Sequence, residues 1–305
     1  MKHFFEEMFF SPKWYHYPLI LLLLPLSLLY GTGMLLRRVF SSAEDFGIPI
    51  VSVGNLMVGG SGKTPFVIAL ASELEGVTVI SRGYGRLSRG LVEVSQEGKV
   101  LAEVEESGDE AMLMAISLPQ SSVIVSEDRV KAIALAKAKG AKVIILDDGF
   151  NRVSIQKYEI LLEPAKIHNY LPFPAGAFRE FWFSRRYADM VLKEERDFER
   201  RVEIVNPTER MVLLTAISNP QRLDTYLPSN VLSKMYLDDH AYFDKPTVLN
   251  YMNRHKASSL LCTSKDKVKL DGMDIPLSEM KLELILNHDI IRKIKAYIKG
   301  YKRER

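Results

Sequence analysis

The hydrophobic positions of this chain fall into two patterns, one long unbroken stretch near the start and a series of short runs after it. From Tyr17 to Leu36 no residue carries a formal charge, and LILLLLPLSLL forms the centre of the stretch. A helix of that length spans roughly 30 Å, about the hydrocarbon core of a bilayer. Trp14, Tyr15 and Tyr17 stand at one edge, where aromatic belts form, and Arg37 and Arg38 follow at the other. No small-residue cleavage site accompanies it, so the segment reads as an uncleaved membrane anchor with the rest of the chain on the cytosolic side. Pro25 lies mid-span, which also suits a shallow interfacial helix, and a buried soluble helix is the plain alternative.

Beyond the anchor, short apolar runs alternate with segments of helical spacing. IPIVSVGN, GVTVISRG, SSVIVSE, AKVIILDDG and YEILLE read as strands. KTPFVIALASELE, GDEAMLMAISLP and DRVKAIALAKAKG read as the helices between them. That alternation predicts an α/β fold with a parallel sheet and helices on both faces. The charge run KEERDFERR and the following VEIVNP read as a solvated linker or an exposed strand pair. RMVLLTAIS then opens a second strand–helix series, with SSLLCTSKD and LELIL as later strands. The expected organisation is an anchor over 1–40, a phosphate-binding core over 41–190, a linker over 191–210 and a smaller α/β domain over 211–305.

Composition adds two exclusions. The net charge of +3 does not argue for nucleic acid. The lone Cys262 excludes an intramolecular disulfide framework and a multi-cysteine zinc site. Basic residues do cluster with aromatics in FREFWFSRRY (178–187) and in the C-terminal IRKIKAYIKGYKRER. Beside a membrane anchor, such segments suit an anionic lipid surface better than nucleic acid.

The chemistry centres on GNLMVGGSGKTP, residues 54–65. Gly59, Gly60, Ser61 and Gly62 form a loop whose backbone N–H groups can converge on an anion at the start of a helix. Lys63 then reaches the β- and γ-phosphates, and the Thr64 hydroxyl serves Mg²⁺. The loop departs from the usual phosphate-loop spacing, because Met57 stands where the first glycine is expected. A strand ending in Asp147 and Asp148 supplies the expected acidic partner for the metal. Adjacent carboxylates face different sides of a strand end, so one is expected on the metal and the other on a loop or a basic residue. No N-K-x-D pattern points to GTP, and Val58 stands where partition-type ATPases carry a lysine.

Other candidates are weaker taken singly. Asp109 and Glu110 open a helix, where acids cap ends, and Asp109 can also act as a general base. His240 stands beside Asp238 and Asp239. SRGYGR (81–86) follows a strand, with Arg82 and Arg86 able to hold an anion. Arg179 and Glu180 end the stiff loop LPFPAGAFRE.

Taken in order, VGNLMVGGSGKTP, SRGYGR, SGDEAML, DDGF, FPAGAFRE, DHAYF and CTSKDKVK resemble the tetraacyldisaccharide 4'-kinases, the lipid A 4'-kinases of Gram-negative bacteria. That family's own phosphate loop lacks the first glycine, which accounts for Met57. Three places depart from its pattern: Asn151 and Arg152 after DDGF, TSKD for T-E-K-D, and PAGAFRE for P-A-G-P-L-R-E. The resemblance implies ATP and Mg²⁺ as cofactors and an acylated glucosamine disaccharide 1-phosphate as acceptor. It implies work at the cytosolic face of the inner membrane, with no nucleic acid and no obligate protein partner. It also implies a base formed by Asp109 with His240, expected to come from two domains that close on one another, phosphate contacts from Lys63, with Arg129 and Arg179 as lesser candidates, and metal contacts from Thr64, Asp147 and Asp148. A membrane-tethered switch ATPase and a kinase for a soluble sugar or nucleoside are the competing readings.

Overall fold

The computed structural model describes residues 2–59 and 62–303. The chain divides into two compact units that interleave along the sequence. The first comprises Met1–Lys63, Val143–Phe198 and Asn287–Arg305, and the second Thr64–Lys142 and Glu199–Leu286. These bounds differ from a simple succession of domains at residue 190, and the cause lies in packing that periodicity does not register.

In the first unit four strands pair in parallel, in the order Val143–Asp147, Ile50–Gly54, Tyr158–Glu163, Met190–Lys193. Val143–Asp147 and Ile50–Gly54 are buried at every position, as expected of strands covered on both sides. Register sets Val53 beside Asp147, so the phosphate-loop strand and the acidic strand end at the same level. The amphipathic helix His288–Arg303 belongs here as well: Tyr297 Oη donates to Ile50 O at 3.3 Å.

The apolar N-terminal segment forms one helix, Tyr17–Phe40, long and apolar enough to cross a membrane. It does not stand apart from the first unit. Ile20, Ser27 and Gly31 are buried, and Ser27 Oγ donates to Pro172 O at 2.6 Å. A Cβ at Gly31 would lie 2.7 Å from the Phe181 ring, so only glycine permits that approach. The opposite face leaves Leu21, Leu22, Leu26 and Leu29 exposed.

In the second unit the strand Val77–Ser81 pairs in parallel with Ser122–Val125, whose other neighbour, Val92–Gln96, runs antiparallel. Val92–Gln96 continues into Lys99–Val100 through Glu97 and Gly98, both at positive φ, the conformation a tight two-residue hairpin needs. Its alternation is too short to stand out in the sequence. The helices Asp109–Ser117 and Arg129–Ala138 follow the expected segments, the latter capped by Asp128, whose carboxylate accepts from Val130 N and Lys131 N. A second sheet has the order Val231–Tyr236, Met211–Thr215, Ser259–Thr263, Leu277–Leu286, Phe198–Val205. The charge run therefore contributes an edge strand, whose alternating charged side chains suit an edge.

Candidate active site

The phosphate-loop segment is held by pairing. Val58 N donates to Ala177 O at 2.9 Å, and Arg179 N donates to Leu56 O at 2.7 Å, with Met57 bridged to Phe178. Met57 is buried with Leu56, Phe150, Leu161 and Phe178. The side chain that breaks the usual glycine pattern thus packs the loop onto the segment that carries Arg179. Gly54 lies so close to Phe150 that an added Cβ would sit 2.6 Å from the Phe150 Cβ. Gly59 and Gly62 take positive φ, as their role in a turning loop requires. Gly60 and Ser61 lie outside the described residues. Thr64 is buried near the start of the helix Lys63–Ser72.

Lys63 Nζ donates to Asn55 Oδ1 at 3.1 Å and lies 3.4 Å from Asp148 Oδ1. Arg179 Nη1 reaches the same carboxylate, at 2.9 Å from Oδ2 and 3.1 Å from Oδ1. Asp148, partly exposed and at positive φ, therefore sits between two cations. Burial pushes its carboxyl up, but Lys63 and Arg179 outweigh it and hold the group below the usual carboxylate range. Asp147 ends its strand with a buried side chain. The two acids thus occupy different surroundings, and it is Asp148 that holds the basic residues.

The second unit brings together residues 131 positions apart in the chain. His240 Nδ1 lies 3.0 Å from each carboxylate oxygen of Asp109, and both residues belong to this one unit. The pair therefore forms without the domain closure expected from the sequence. Asp109 also accepts from Glu110 N at 2.8 Å, but the N-cap of its helix is Gly108 and no side-chain capping bond closes that end, so Asp109 is not the cap. His240 takes φ +62, and its N–H donates to Ala216 O at 3.1 Å. The buried Asp266 secures the same place, accepting from Ala216 N at 3.0 Å and from Thr215 Oγ1 at 2.6 Å. From SRGYGR, the Tyr84 ring lies 5.0 Å from the imidazole and Gly85 packs against it. In the same loop Arg86 is paired with Glu127 at 2.6 Å, while Arg82 is exposed. Arg129 is buried, and its Nη1 donates to Ser81 O at 2.7 Å and to Ser126 O, so it ties two loops together.

Two lysines complete this cluster. Lys269 Nζ is buried 3.5 Å from Asp109 Oδ2 and donates to Ala241 O at 2.9 Å. Lys265 Nζ lies 3.8 Å from Asp109, 3.4 Å from Asp239 and 3.3 Å from Glu110. Burial pushes the Asp109 carboxyl up, but the His240 hydrogen bond and the lysine charges hold it below the usual range. Burial lowers Lys265, yet Glu110, Asp109 and Asp239 outweigh that and raise it. Sequence reasoning missed both lysines as site residues. Their spacing of four on the helix Ser264–Leu270 was the available signal, since it places both on one face.

A family model described as Tetraacyldisaccharide-1-P 4'-kinase matches residues 19–212. A tetraacyldisaccharide 4'-kinase of Helicobacter pylori is 44% identical over 302 residues, covering 98% of this chain and 96% of the relative. The enzyme of the same name from Aliarcobacter butzleri is 41% identical, covering 97% of each chain. A crystal structure of LpxK from Aquifex aeolicus in complex with ATP is similar with a TM-score of 0.78 at 30% identity, covering 92% of this chain and 99% of that one.

Proposed function

The chain belongs to the tetraacyldisaccharide 4'-kinase family, and from that premise we propose how its own residues carry out the phosphate transfer. The enzyme is a kinase that phosphorylates the 4'-hydroxyl of tetraacyldisaccharide 1-phosphate, the step that gives lipid IVA in lipid A biosynthesis. ATP is the donor, in keeping with the ATP complex of the Aquifex relative. The 4'-oxygen forms a bond to the γ-phosphorus while the bond to the ADP oxygen breaks, and the hydroxyl proton passes to Asp109. His240, hydrogen-bonded to that carboxylate, orients it and shares the charge. Lys63, the loop N–H groups and Arg179 neutralise the phosphate oxygens, the main need of phosphoryl transfer.

The donor set also suits Mg²⁺. Carboxylates from Asp147 and Asp148 and the hydroxyl of Thr64, next in the chain to Lys63, are hard oxygen ligands. Among the described residues no three His, Cys, Asp or Glu side chains group to hold a metal by themselves. A Mg²⁺ ion held by one or two carboxylates and completed by phosphate oxygens and water fits such a set. When bound, it neutralises charge on the transferring phosphate.

The acceptor carries acyl chains, so the enzyme must work at a lipid surface. The helix Tyr17–Phe40 serves that need from the cytosolic face of the inner membrane. Its buried stripe is taken up by residues of its own unit, and its exposed leucines are left for lipid. We read it as lying in the interface rather than standing alone across the bilayer. No obligate protein partner and no nucleic acid enter this reading.

The observation that carries the mechanism is the Asp109–His240 pair with its two lysines. The deciding experiment follows label from γ-labelled ATP into acylated disaccharide 1-phosphate in mixed micelles, with Lys63→Ala in parallel. Label in the lipid with wild type and none with the variant is the expected result. ATP hydrolysis stimulated by membranes or a protein extract, without labelled lipid, would point to a switch ATPase instead.

A further inference from the structure

Arg37 and Arg38 follow the apolar stretch, a position usually assigned to the headgroup region. Their side chains are engaged elsewhere. Arg38 is half-buried, with its side chain only 8% exposed, and grips Glu180 with two parallel bonds, Nε to Oε2 and Nη2 to Oε1, each 2.8 Å. Its Nη2 also donates to Phe150 O at 3.1 Å, and its guanidinium lies 4.3 Å from the Phe150 ring centre. Arg37 Nη2 donates to Asn151 O at 2.7 Å.

The places gripped are adjacent in the chain to the phosphate-transfer residues. Glu180 follows Arg179, and Phe150 stands two residues after Asp148. Arg179 and Asp148 pair with each other, and Asp148 with Lys63. Phe150 packs on Gly54 at the base of the phosphate loop. The helix is also seated along the segment on either side of Arg179. Ser27 bonds Pro172 O, Gly31 accommodates Phe181, and Arg38 ends the same side of the helix on Glu180. The offsets of four and seven residues place these three on one helical face.

A bidentate guanidinium–carboxylate pair fixes orientation as well as distance, and a lysine cannot reproduce it. Asp148 holds a positive φ, a backbone state that persists where the surroundings enforce it. The end of the helix is hydrogen-bonded to the carbonyls of Phe150 and Asn151, two and three residues after Asp148.

We propose that Arg38 is a positioning residue for phosphate transfer: its clamp on Glu180 and the Phe150 carbonyl holds the segments presenting Arg179 and Asp148, so that the seating of the N-terminal helix sets the geometry of the site. The helix is then part of the catalytic frame as well as a means of attachment. The proposal rests on the kinase reading of Lys63, Asp148 and Arg179.

The test compares Arg38→Gln, Glu180→Gln and the double variant in full-length enzyme, in mixed micelles, with kcat referred to the fraction that binds ATP. Both single variants lower kcat by roughly ten- to a hundredfold, with little change in the KM for the lipid, because a displaced site reacts poorly whether or not the surface is found. The double variant falls no further than either single one. Arg38→Lys keeps the charge and still loses most of the rate, and it serves where Arg38→Gln does not fold. A kcat within twofold of wild type in folded Arg38→Gln or Arg38→Lys overturns the proposal, as do multiplicative losses in the double variant. So does a loss that vanishes on correction for the ATP-binding fraction, which is the mark of a merely structural tie. Failure of the wild type itself to label lipid would remove the kinase reading instead.

Discussion

His240 and Asp109 face each other with Nδ1 at 3.0 Å from both carboxylate oxygens, an arrangement that presents the imidazole to the whole carboxylate. They act as one unit in the proposed mechanism. Asp109→Ala and His240→Ala each lower kcat, and the double variant loses far less than the product of the two losses. Steady-state kinetics on the four proteins checks this, and fully multiplicative losses would sink the pairing.

Lys265 gives a pH-dependent consequence. The Asp109 carboxyl is held below its ordinary range, so the base stays ionised down to low pH. Its contribution to stability is complete above the unfolded carboxylate value of about 4 and is lost as pH falls through the lower folded value. Replacing Lys265 with Gln removes a cation 3.8 Å from Asp109 and raises that value. The acid limb of kcat/KM in Lys265→Gln moves to higher pH than in wild type. Superimposable profiles would show that Lys265 does not tune the base.

Lys269 carries more structural weight. Its side chain and that of Asp109 are both buried, and its ammonium also bonds Ala241 O beside His240. Lys269→Met leaves the Asp109 charge without its closest lysine and destabilises the protein by about 3 kcal/mol. Urea unfolding of wild type and variant measures it, and a change within experimental error counts against the ion pair.

The leucines on the outer face of the N-terminal helix test attachment separately from chemistry. Leu22 and Leu29 are 74% and 71% exposed, so charge there does not disturb packing within the first unit. Leu22→Glu with Leu29→Glu lowers recovery in the membrane fraction and raises the KM for micellar lipid, with kcat retained. Unchanged sedimentation with vesicles would show that another surface provides the attachment.

Much of this was legible in the residues themselves. Strand and helix periodicities, the GGSGKT loop, the paired acids after an apolar strand and the long uncharged stretch are local patterns, set by spacing along the chain. Elements that depend on partners were not. The strand Val92–Gln96 is short and gains its place by pairing with Ser122–Val125. The charge run reads as a linker or an exposed strand pair, and only the sheet settles that Phe198–Val205 is an edge strand. Met57 breaks a sequence rule and is explained by burial against Phe150 and Phe178.

By itself the sequence determined the fold class and the family, and it marked candidates for phosphate, metal and proton chemistry, because those follow from side-chain chemistry and local order. Tertiary structure alone decided which of them meet. It put Asp109 and His240 in one unit, surrounded them with Lys265 and Lys269, set Asp148 between Lys63 and Arg179, and turned Arg38 inward to Glu180. Such contacts join positions far apart in the chain, and their strength comes from burial that weakens solvent screening of charge, a property no local stretch of residues possesses.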